Sequence, residues 1–414
     1  MRILHAFYFG DLGGIESYAT DLFHGLAARG HESVLLYDGA EPPGPGAGVR
    51  ARCRLTGMIE HGRGHGEKLA RTALRSIDQW RCDLAFLHLT MNGTLSESLL
   101  ARVPTVYFAH NYGALCPSGA LLYERSDRIC DLQGVPDVRC LVNAYLEGCN
   151  TRHPARLWGR YRRTVETAAW TRRADALVCD SEYVRRRHVD NGWPRERVHV
   201  VPSPVRMPPE PWPPAVRERS LDRQPIVLFA GRVTPQKGLE YLLRAEREID
   251  RPHRLVVAGD GYQMPAMRAL AMRLGLAGRV EFAGRLDRKA LDDLYTRASV
   301  VVVPSIWPEP FGMVGPEAMA HGVPVVAFRV GGIPEWLTDQ ETGCLVEPRD
   351  VAGLARAIRR ILDDPVLARR LGERARLVAG QNFTSECHVE RLEAIFRDAI
   401  AKRSRDPVVL AGTA

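Results

Sequence analysis

The sequence has no apolar run that approaches the roughly 20 residues needed to span a bilayer. Its first residues, Met1–Phe7, enter a strand-like apolar stretch and lack the charged, apolar and small-residue order of a signal peptide. The nine cysteines are an odd number without a secretory signal, which argues against a disulfide framework. No nucleic-acid recognition motif accompanies the net charge of +8. We therefore expect a cytoplasmic protein with no nucleic-acid partner.

The composition is that of a globular protein, with 45% hydrophobic and 26% charged residues. A chain of 414 residues suits two domains of about 200 residues each. Arginine is concentrated between Arg152 and Arg197, a pattern typical of solvated helix faces. The same stretch is a candidate patch for anionic lipid headgroups, at the inner face of a membrane, or for an anionic substrate. Its arginines include Arg162, Arg163, Arg172, Arg173, Arg185, Arg186 and Arg187.

Short apolar runs alternate with helix-like segments in two series along the chain. Continuous apolar strands separated by helices indicate a parallel sheet covered on both faces, so the pattern predicts two doubly wound α/β domains. The predicted strands are 2–7, 32–37, 84–89, 105–109, 176–179 and 198–201 in the first series, and 226–230, 254–258, 280–282, 300–303, 323–328 and 343–346 in the second.

A proline-rich stretch separates the two series, because prolines cannot continue a helix or a central strand. We place the first domain at residues 1–203, the linker at 204–224, the second domain at 225–395 and a tail at 396–414. The last helix of the second domain is a candidate to pack back on the first domain. The loops at 39–66 and 111–150 carry no readable specificity signal.

Both series place glycines or cations where a strand turns into a helix. In the first series, Gly13 and Gly14 follow strand one, and adjacent glycines there let backbone N–H groups approach an anion. In the second series, Thr234 is a predicted N-cap, which would put Lys237 in the opening turn of a helix. A cation there opposes the helix dipole unless an anion lies between them, so Arg232 and Lys237 suit a diphosphate.

The most informative segment runs from Pro304 to Ala318. A buried-looking strand ends there, Glu309 lies in the following loop, and Pro316 marks the first turn of a helix that contains Glu317. Both carboxylates can accept hydrogen bonds from sugar hydroxyls. Placement of Glu317 near a helix N-terminus is also favourable on its own, but that effect does not account for Glu309.

These residues resemble the retaining glycosyltransferase family 4, and the resemblance covers nearly the whole chain. It implies the GT-B fold, in which two tandem Rossmann-like domains face a central cleft, and transfer of a sugar from a nucleotide sugar. The motifs that carry it are Glu309-x7-Glu317, Gly231-Arg232-x4-Lys237-Gly238, Gly259-Asp260-Gly261, Gly331-Gly332 and Gly13-Gly14.

The resemblance also implies a set of site residues. Arg232 and Lys237 would hold the donor diphosphate, Glu317 the ribose and Glu309 the transferred sugar. His110, after the strand at 105–109, matches the family histidine beside that sugar. Catalytic roles thus fall on His110, Glu309, Arg232 and Lys237, and the remaining predicted substrate-binding residues are Gly13, Gly14, Gly284, Arg285, Leu286, Phe311, Gly312 and Glu317.

The expected donor is a UDP- or GDP-sugar, and the expected acceptor is a glycan, a lipid-linked molecule or a small molecule of cell-surface polysaccharide or glycoconjugate synthesis. The family is generally metal-independent and no Asp-x-Asp pair occurs, so we expect no cofactor. Two alternatives remain open at this point. One is a GT-B nucleotide-sugar epimerase, and the other is a non-catalytic nucleotide-sugar-binding subunit.

Four cysteines, Cys116, Cys130, Cys140 and Cys149, follow His110 within one segment. A subset of the same family has several cysteines at this place. Their separations do not form paired C-x2-C zinc knuckles. Structural thiols, a role in an acceptor loop and a metal site are the interpretations that the sequence allows.

Overall fold

A computed structural model describes residues 1–9, 13–42, 48–58, 63–88, 92–132, 136–209 and 224–405. The chain divides into two compact units. Unit 1 comprises residues 1–126, 130–204 and 385–414, and unit 2 comprises residues 127–129 and 205–384. Parts of the loop at 39–66 and of the linker at 204–224 lie outside the described residues, as do residues 406–414 of the predicted tail.

Strands β1 to β9 are Arg2–Phe9, Glu32–Gly39, Val49–Arg54, Leu84–Leu87, Thr105–Ala109, Leu122–Tyr123, Arg128–Ile129, Ala176–Cys179 and Val198–Val200. Strands β10 to β15 are Ile226–Ala230, Arg254–Ala258, Val280–Gly284, Val300–Val303, Val325–Phe328 and Gly343–Val346. Two short 3-10 turns occupy Arg195–Arg197 and Pro235–Lys237.

Helices α1 to α6 are Gly13–Ala28, Arg63–Trp80, Gly93–Arg102, Val138–Leu146, Pro154–Thr171 and Glu182–Val189. Helices α7 to α13 are Leu239–Glu246, Met264–Arg273, Arg288–Arg297, Val314–Ala320, Ile333–Trp336, Val351–Asp363 and Pro365–Asn382, and α14 is Ser385–Arg405.

Each unit is built around a parallel sheet. Unit 1 has seven strands in the order β3-β2-β1-β4-β5-β8-β9, and unit 2 has six in the order β12-β11-β10-β13-β14-β15. All pairs in both sheets are parallel. The central strands are buried on both faces, as in the four valines of β13, which explains their continuous apolar sequences. In each sheet the strand order reverses beside the first strand, at β1/β4 in unit 1 and at β10/β13 in unit 2. This position is the switch point of the sheet, where doubly wound sheets bind ligands.

Helix α14 completes the core of unit 1. Its Leu392 and Phe396 are buried in the same apolar cluster as Phe86, and the ring centroids of Phe86 and Phe396 are 4.9 Å apart. Gly25 of α1 permits the close approach, because a Cβ atom there would lie 2.7 Å from Val389 of α14. The final helix therefore packs on unit 1, whereas the sequence-based division ended the second domain at residue 395 and treated 396–414 as a tail.

Two local predictions differ from the structure. The segment Val49–Arg54 forms β3 inside a stretch that we expected to be a loop. Its sequence, VRARCR, alternates apolar residues with arginine and lacks the continuous apolar run by which the central strands were predicted. Lys237 was predicted to lie in the opening turn of a helix capped by Thr234. It lies instead in a 3-10 turn without a side-chain cap, and α7 begins only after Gly238, whose φ of 66° ends the turn.

Glu393 attaches α14 to the turn between α1 and β2 of unit 1 by charge as well as by packing. Arg29 donates two hydrogen bonds to its carboxylate, at 2.8 and 2.9 Å, and His31 Nε2 lies 2.6 Å from Oε1. The hydrogen bond from Arg29, followed by that from His31, lowers the pKa of Glu393 to about 2, although burial opposes this shift.

We expect Glu393→Gln to lower the free energy of unfolding of unit 1 by about 1–3 kcal/mol, because Arg29 and His31 lose a charged acceptor that is nearly buried. Urea unfolding followed by circular dichroism measures the change. Glu390→Gln, on the exposed side of the same helix, is the control and should change stability by less than about 0.5 kcal/mol. Equal midpoints for both variants would contradict this account of how α14 is held.

Candidate functional site

The predicted site residues of unit 2 follow the two strands at its switch point. Arg232 and Lys237 come after β10, and Glu309 comes after β13, which pairs directly with β10. Parallel strands end at the same edge of their sheet. The fold therefore places the two loops side by side although they are far apart in sequence.

Lys237 and Glu309 form an ion pair between these loops. Lys237 Nζ lies 2.6 Å from Glu309 Oε1, and the Ser305 hydroxyl donates to the same oxygen at 2.6 Å. The Glu309 side chain is 4% exposed, whereas that of Lys237 is 22% exposed. A buried carboxylate thus has a cation and a hydroxyl on one oxygen, and the cation reaches solvent.

Glycines allow the loops to approach this closely. A Cβ atom on Gly238 would lie 1.9 Å from the carbonyl oxygen of Pro304, and one on Gly331 would lie 2.3 Å from that of Glu309. Both glycines have positive φ, which a side chain would also disfavour. The Gly332 N–H donates to the Glu309 carbonyl oxygen at 2.8 Å. The Gly331-Gly332 motif therefore holds the backbone of Glu309 in place.

Arg232 has an exposed side chain at the end of β10. Among the residues that the structure describes, its guanidinium makes no side-chain hydrogen bond or ion pair. Its five N–H donors therefore remain available to an anionic ligand. The structure brings Lys237 and Glu309 together, and among the described residues the Arg232 guanidinium has no side-chain partner beside the same switch point.

Glu317, in helix α10, is held by two residues that the sequence analysis did not single out. Arg288 Nη1 lies 2.8 Å from Glu317 Oε1, and the Tyr295 hydroxyl donates to Oε2 at 3.0 Å. Burial raises the pKa of Tyr295 well above its ordinary value, and the nearby Glu317 carboxylate raises it further. Both partners come from α9, so only the tertiary structure reveals them.

The other predicted residues of unit 2 differ in what they offer a ligand. The Phe311 ring is buried in an edge-on contact with Phe383, and its carbonyl oxygen accepts a hydrogen bond from Trp336. Through its ring and its carbonyl oxygen, Phe311 therefore holds its loop in place. Gly284 ends β12 with a φ of 71°, and the exposed Arg285 follows it. Gly312, with a φ of 85°, and the half-buried Leu286 also lie in these loops.

In unit 1, His110 lies at one end of a row of histidines. Its Nε2 is 3.3 Å from His88 Nδ1, His88 Nε2 is 3.4 Å from His5 Nδ1, and His5 Nε2 is 3.2 Å from the Ser33 hydroxyl. His5 and His88 come from β1 and from the end of β4, on either side of the switch point of unit 1. Of these histidines only His110 was predicted from the sequence, because the row exists only after the strands pair.

Burial keeps this row neutral. Burial lowers the pKa of His5 and of His110 to about 3, and the nearby His388 lowers that of His110 further. Burial and then the neighbouring histidines lower the pKa of His88 well below its ordinary value. A neutral imidazole has one donor and one acceptor nitrogen, so each ring in the row fixes the tautomer of the next.

Gly13 and Gly14 begin α1, directly after the part of the β1–α1 connection, residues 10–12, that lies outside the described residues. Several arginines of the basic stretch are engaged in local contacts. Arg172 stacks over the Trp193 ring at 4.7 Å, and Arg173 pairs with Glu97. In the described ranges, no helix combines the length and the apolar character required to cross a bilayer.

Two family models match the chain. Residues 12–207 match the model Glycosyltransferase Family 4, and residues 215–378 match the model Glycosyl transferases group 1. The chain therefore carries the two domains of a glycosyltransferase of the group 1/family 4 type, and the family prediction is confirmed at that level.

Particular relatives and structures agree with this class. The chain is 36% identical over 264 residues to the D-inositol 3-phosphate glycosyltransferase of Acidothermus cellulolyticus, across 58% of this chain and 57% of the relative. The matches to the first curated relatives span 37% to 57% of their lengths.

Solved structures resemble nearly the whole chain. Sucrose-phosphate synthase from Thermosynechococcus elongatus matches with a TM-score of 0.73 at 23% identity, over 97% of this chain and 100% of that one. Anabaena HepE in complex with UDP-glucose matches with a TM-score of 0.69 at 20% identity, over 98% and 100%. These likenesses confirm the GT-B fold with its two Rossmann-like domains.

The histidine row predicts a loss of stability in mild acid. A histidine whose folded pKa lies below the ordinary 6.5 stabilises the fold fully above pH 6.5, and this contribution is lost as the pH falls below 6.5. At about pH 5.5, each such histidine costs about 1.4 kcal/mol relative to about pH 7.5. We expect His5→Phe to reduce the difference in unfolding free energy between these two pH values by about that amount.

Urea unfolding at both pH values measures this effect. His24→Phe, which replaces an exposed ring on α1 of the same unit, is the matched control. If the wild type and His5→Phe lose equal stability in acid, the buried neutral state of His5 is contradicted.

Proposed function

We propose that this protein transfers a sugar from a nucleoside-diphosphate sugar to an acceptor with retention of configuration at the anomeric carbon. The observation that carries the proposal is the Lys237–Glu309 pair between the two switch-point loops of unit 2. In this pair a lysine, which is suited to binding phosphate, contacts a glutamate, which is suited to binding sugar hydroxyls.

Lys237 and Arg232 are proposed to bind the donor diphosphate. A lysine ammonium has three N–H donors, and Glu309 engages Lys237 at one oxygen only. The remaining donors and the unengaged Arg232 guanidinium supply positive charge where the leaving group becomes negative. No divalent metal is required by this proposal, because the two side chains perform the charge stabilisation.

Glu309 is proposed to bind hydroxyl groups of the transferred sugar. Its Oε1 accepts from both Lys237 and Ser305, and within the described residues no hydrogen bond reaches Oε2. Oε2 can therefore accept from a sugar hydroxyl. A carboxylate whose charge is shared with a lysine is a weaker nucleophile at carbon, which favours a binding role over formation of a covalent intermediate.

The reaction then proceeds on one face of the sugar. The bond between C1 and the β-phosphate oxygen breaks, and the pair of electrons stays with the nucleoside diphosphate. The acceptor hydroxyl attacks C1 from the same face while its proton passes to the departing phosphate. The products are the glycosylated acceptor and the protonated nucleoside diphosphate, and the configuration at C1 is retained.

Glu317 is proposed to bind the donor ribose, with Arg288 and Tyr295 as positioning residues. Each carboxylate oxygen can accept more than one hydrogen bond, so occupation by Arg288 and Tyr295 leaves acceptor capacity for a ribose hydroxyl. The backbone of Gly284, Arg285 and Leu286, together with that of Gly312, is proposed to contact the donor.

In unit 1, His110 is proposed to contact the transferred sugar, and Gly13 and Gly14 are proposed to contact the phosphates. HepE was solved with UDP-glucose, which supports a UDP-sugar among the candidate donors, beside GDP-sugars. The acceptor is proposed to be a glycan, a lipid-linked molecule or a small molecule in cell-surface glycan synthesis. The proposed location is the cytoplasm, with peripheral association at the inner membrane face.

We expect Lys237→Ala to weaken nucleoside-diphosphate binding by about 10- to 100-fold, because hydrogen bonds to charged groups contribute roughly 1.5–3 kcal/mol. Thermal shifts with UDP and with GDP measure binding and also identify the nucleotide. The control is Lys289→Ala, whose side chain is exposed on α9. Unchanged affinity in Lys237→Ala would remove the diphosphate role.

Glu309→Gln should reduce the turnover number by about 10- to 100-fold, because hydrogen bonds from sugar hydroxyls to a charged acceptor contribute roughly 1.5–3 kcal/mol. It should change nucleoside-diphosphate affinity far less. The control is Glu281→Gln, at an exposed position of β12. Proton NMR of the product reports the anomeric configuration, and an inverted product or conversion of donor without any acceptor would overturn the proposed reaction.

A further inference from the structure

Four cysteines that the proposed transfer reaction does not use line one cavity in unit 1. Cys116, Cys130, Cys140 and Cys149, the four-cysteine cluster, all contribute to its wall, together with the polar Ser118. None of the four forms a disulfide. The cavity therefore contains four thiols that can react or bind a ligand.

The thiols are close enough to influence one another. Burial, followed by the nearby Cys116 and Cys130 thiols, raises the pKa of both Cys140 and Cys149 to about 12. Burial also raises the pKa of Cys130, and Cys116 raises it further. The four thiols therefore share one environment at the wall of the same cavity.

The cysteines come from four different places in the segment between β5 and α5. Cys116 lies in a turn after β5, Cys130 follows β7, Cys140 lies in the first turn of α4, and Cys149 lies just beyond the end of α4. A group that bound all four would connect both ends of α4 to the two earlier turns.

Helix α4, which contains Cys140, contributes little apolar burial of its own. Helix α4 has nine residues and buries only Ala144. Several of its apolar side chains point to solvent, with Val138 68%, Val142 51% and Leu146 62% exposed. Helices this short are marginal in water without tertiary packing.

We propose that the four-cysteine cluster is a structural zinc site, in which four thiolates hold one Zn²⁺ ion and fix the segment that follows His110. Four cysteine thiolates are a standard ligand set for structural zinc, and the ion has no redox chemistry. Zinc binding releases the thiol protons. The free energy of metal binding then stabilises the folded state of the segment.

Across the described residues, no three histidine, cysteine or acidic side chains are already arranged as a metal site. Protonated thiols do not attract one another, so they need not converge without a cation. Zn²⁺ displaces their protons and holds each sulfur at about 2.3 Å. We therefore expect the thiols that already line the cavity to reorient when the ion binds.

Neighbouring groups can offset the negative charge of such a centre. The Ser118 hydroxyl lies 3.2 Å from Cys116 Sγ, within reach of a thiolate. Arg187 Nη2 lies 3.4 Å from the carbonyl oxygen of Cys130, which brings a cation to the edge of the cluster. Such outer contacts commonly orient metal ligands.

Metal analysis of the full chain, purified without a histidine tag, tests the proposal. We expect about one zinc ion per chain in the wild type by inductively coupled plasma mass spectrometry. A thiol-blocking mercurial should release it to a coloured chelator. Cobalt(II) added to the metal-stripped protein should show the absorption of tetrahedral thiolate coordination. These measurements need no donor or acceptor, so they are independent of the proposed transfer activity.

Cys130→Ser and Cys140→Ser should each lose most of the zinc, whereas Cys53→Ser, on β3 in the same unit, should retain it. If the first two variants do not fold, the wild-type zinc content and mercurial release still decide the question. Wild-type protein without zinc, with iron and sulfide at the cluster, or with disulfides between these cysteines would overturn the proposal.

Discussion

The ion pair between Lys237 and Glu309 is the constraint on which the arrangement of unit 2 depends. It connects residues 72 positions apart in sequence, and it forms because β10 and β13 are neighbours at the switch point. A buried carboxylate that loses its cation is costly, so the two loops fix one another. Gly238 and Gly331 allow the backbone to approach closely enough for that contact. The Ser305 hydroxyl donates a further hydrogen bond to Glu309.

Unit 1 uses neutral groups at its own switch point. Three imidazoles and the Ser33 hydroxyl form a continuous polar row through an otherwise aromatic environment, in which Phe7 stacks on His88 at 3.7 Å. Because every ring donates at one nitrogen and accepts at the other, the direction of the row is decided as a whole. Whether the outer nitrogen of His110 donates or accepts is therefore coupled to the orientation of the Ser33 hydroxyl.

The sequence predicted the central strands well, because runs such as Val300–Val303 are uniformly apolar and end at proline or glycine. It also indicated Lys237 and Glu309 through their motifs. It could not indicate Arg288 as the partner of Glu317, since that contact depends on how α9 packs beside α10. The histidine row was missed for the same reason, and β3 was missed because an edge strand need not be apolar. Local pattern thus predicts elements, whereas partners depend on strand order.

The position of α14 has a consequence for how the protein is made. Unit 1 begins at residue 1, but Leu392 and Phe396 of its core are among the last described residues to be synthesised. At about 5–20 residues per second, a ribosome needs roughly 10 to 40 seconds to pass from residue 204, where the earlier part of unit 1 ends, to Leu392. During that interval the apolar face that α14 will cover stays open on the nascent chain, and unit 2 is completed first. Vectorial synthesis therefore favours folding of the second unit before the first.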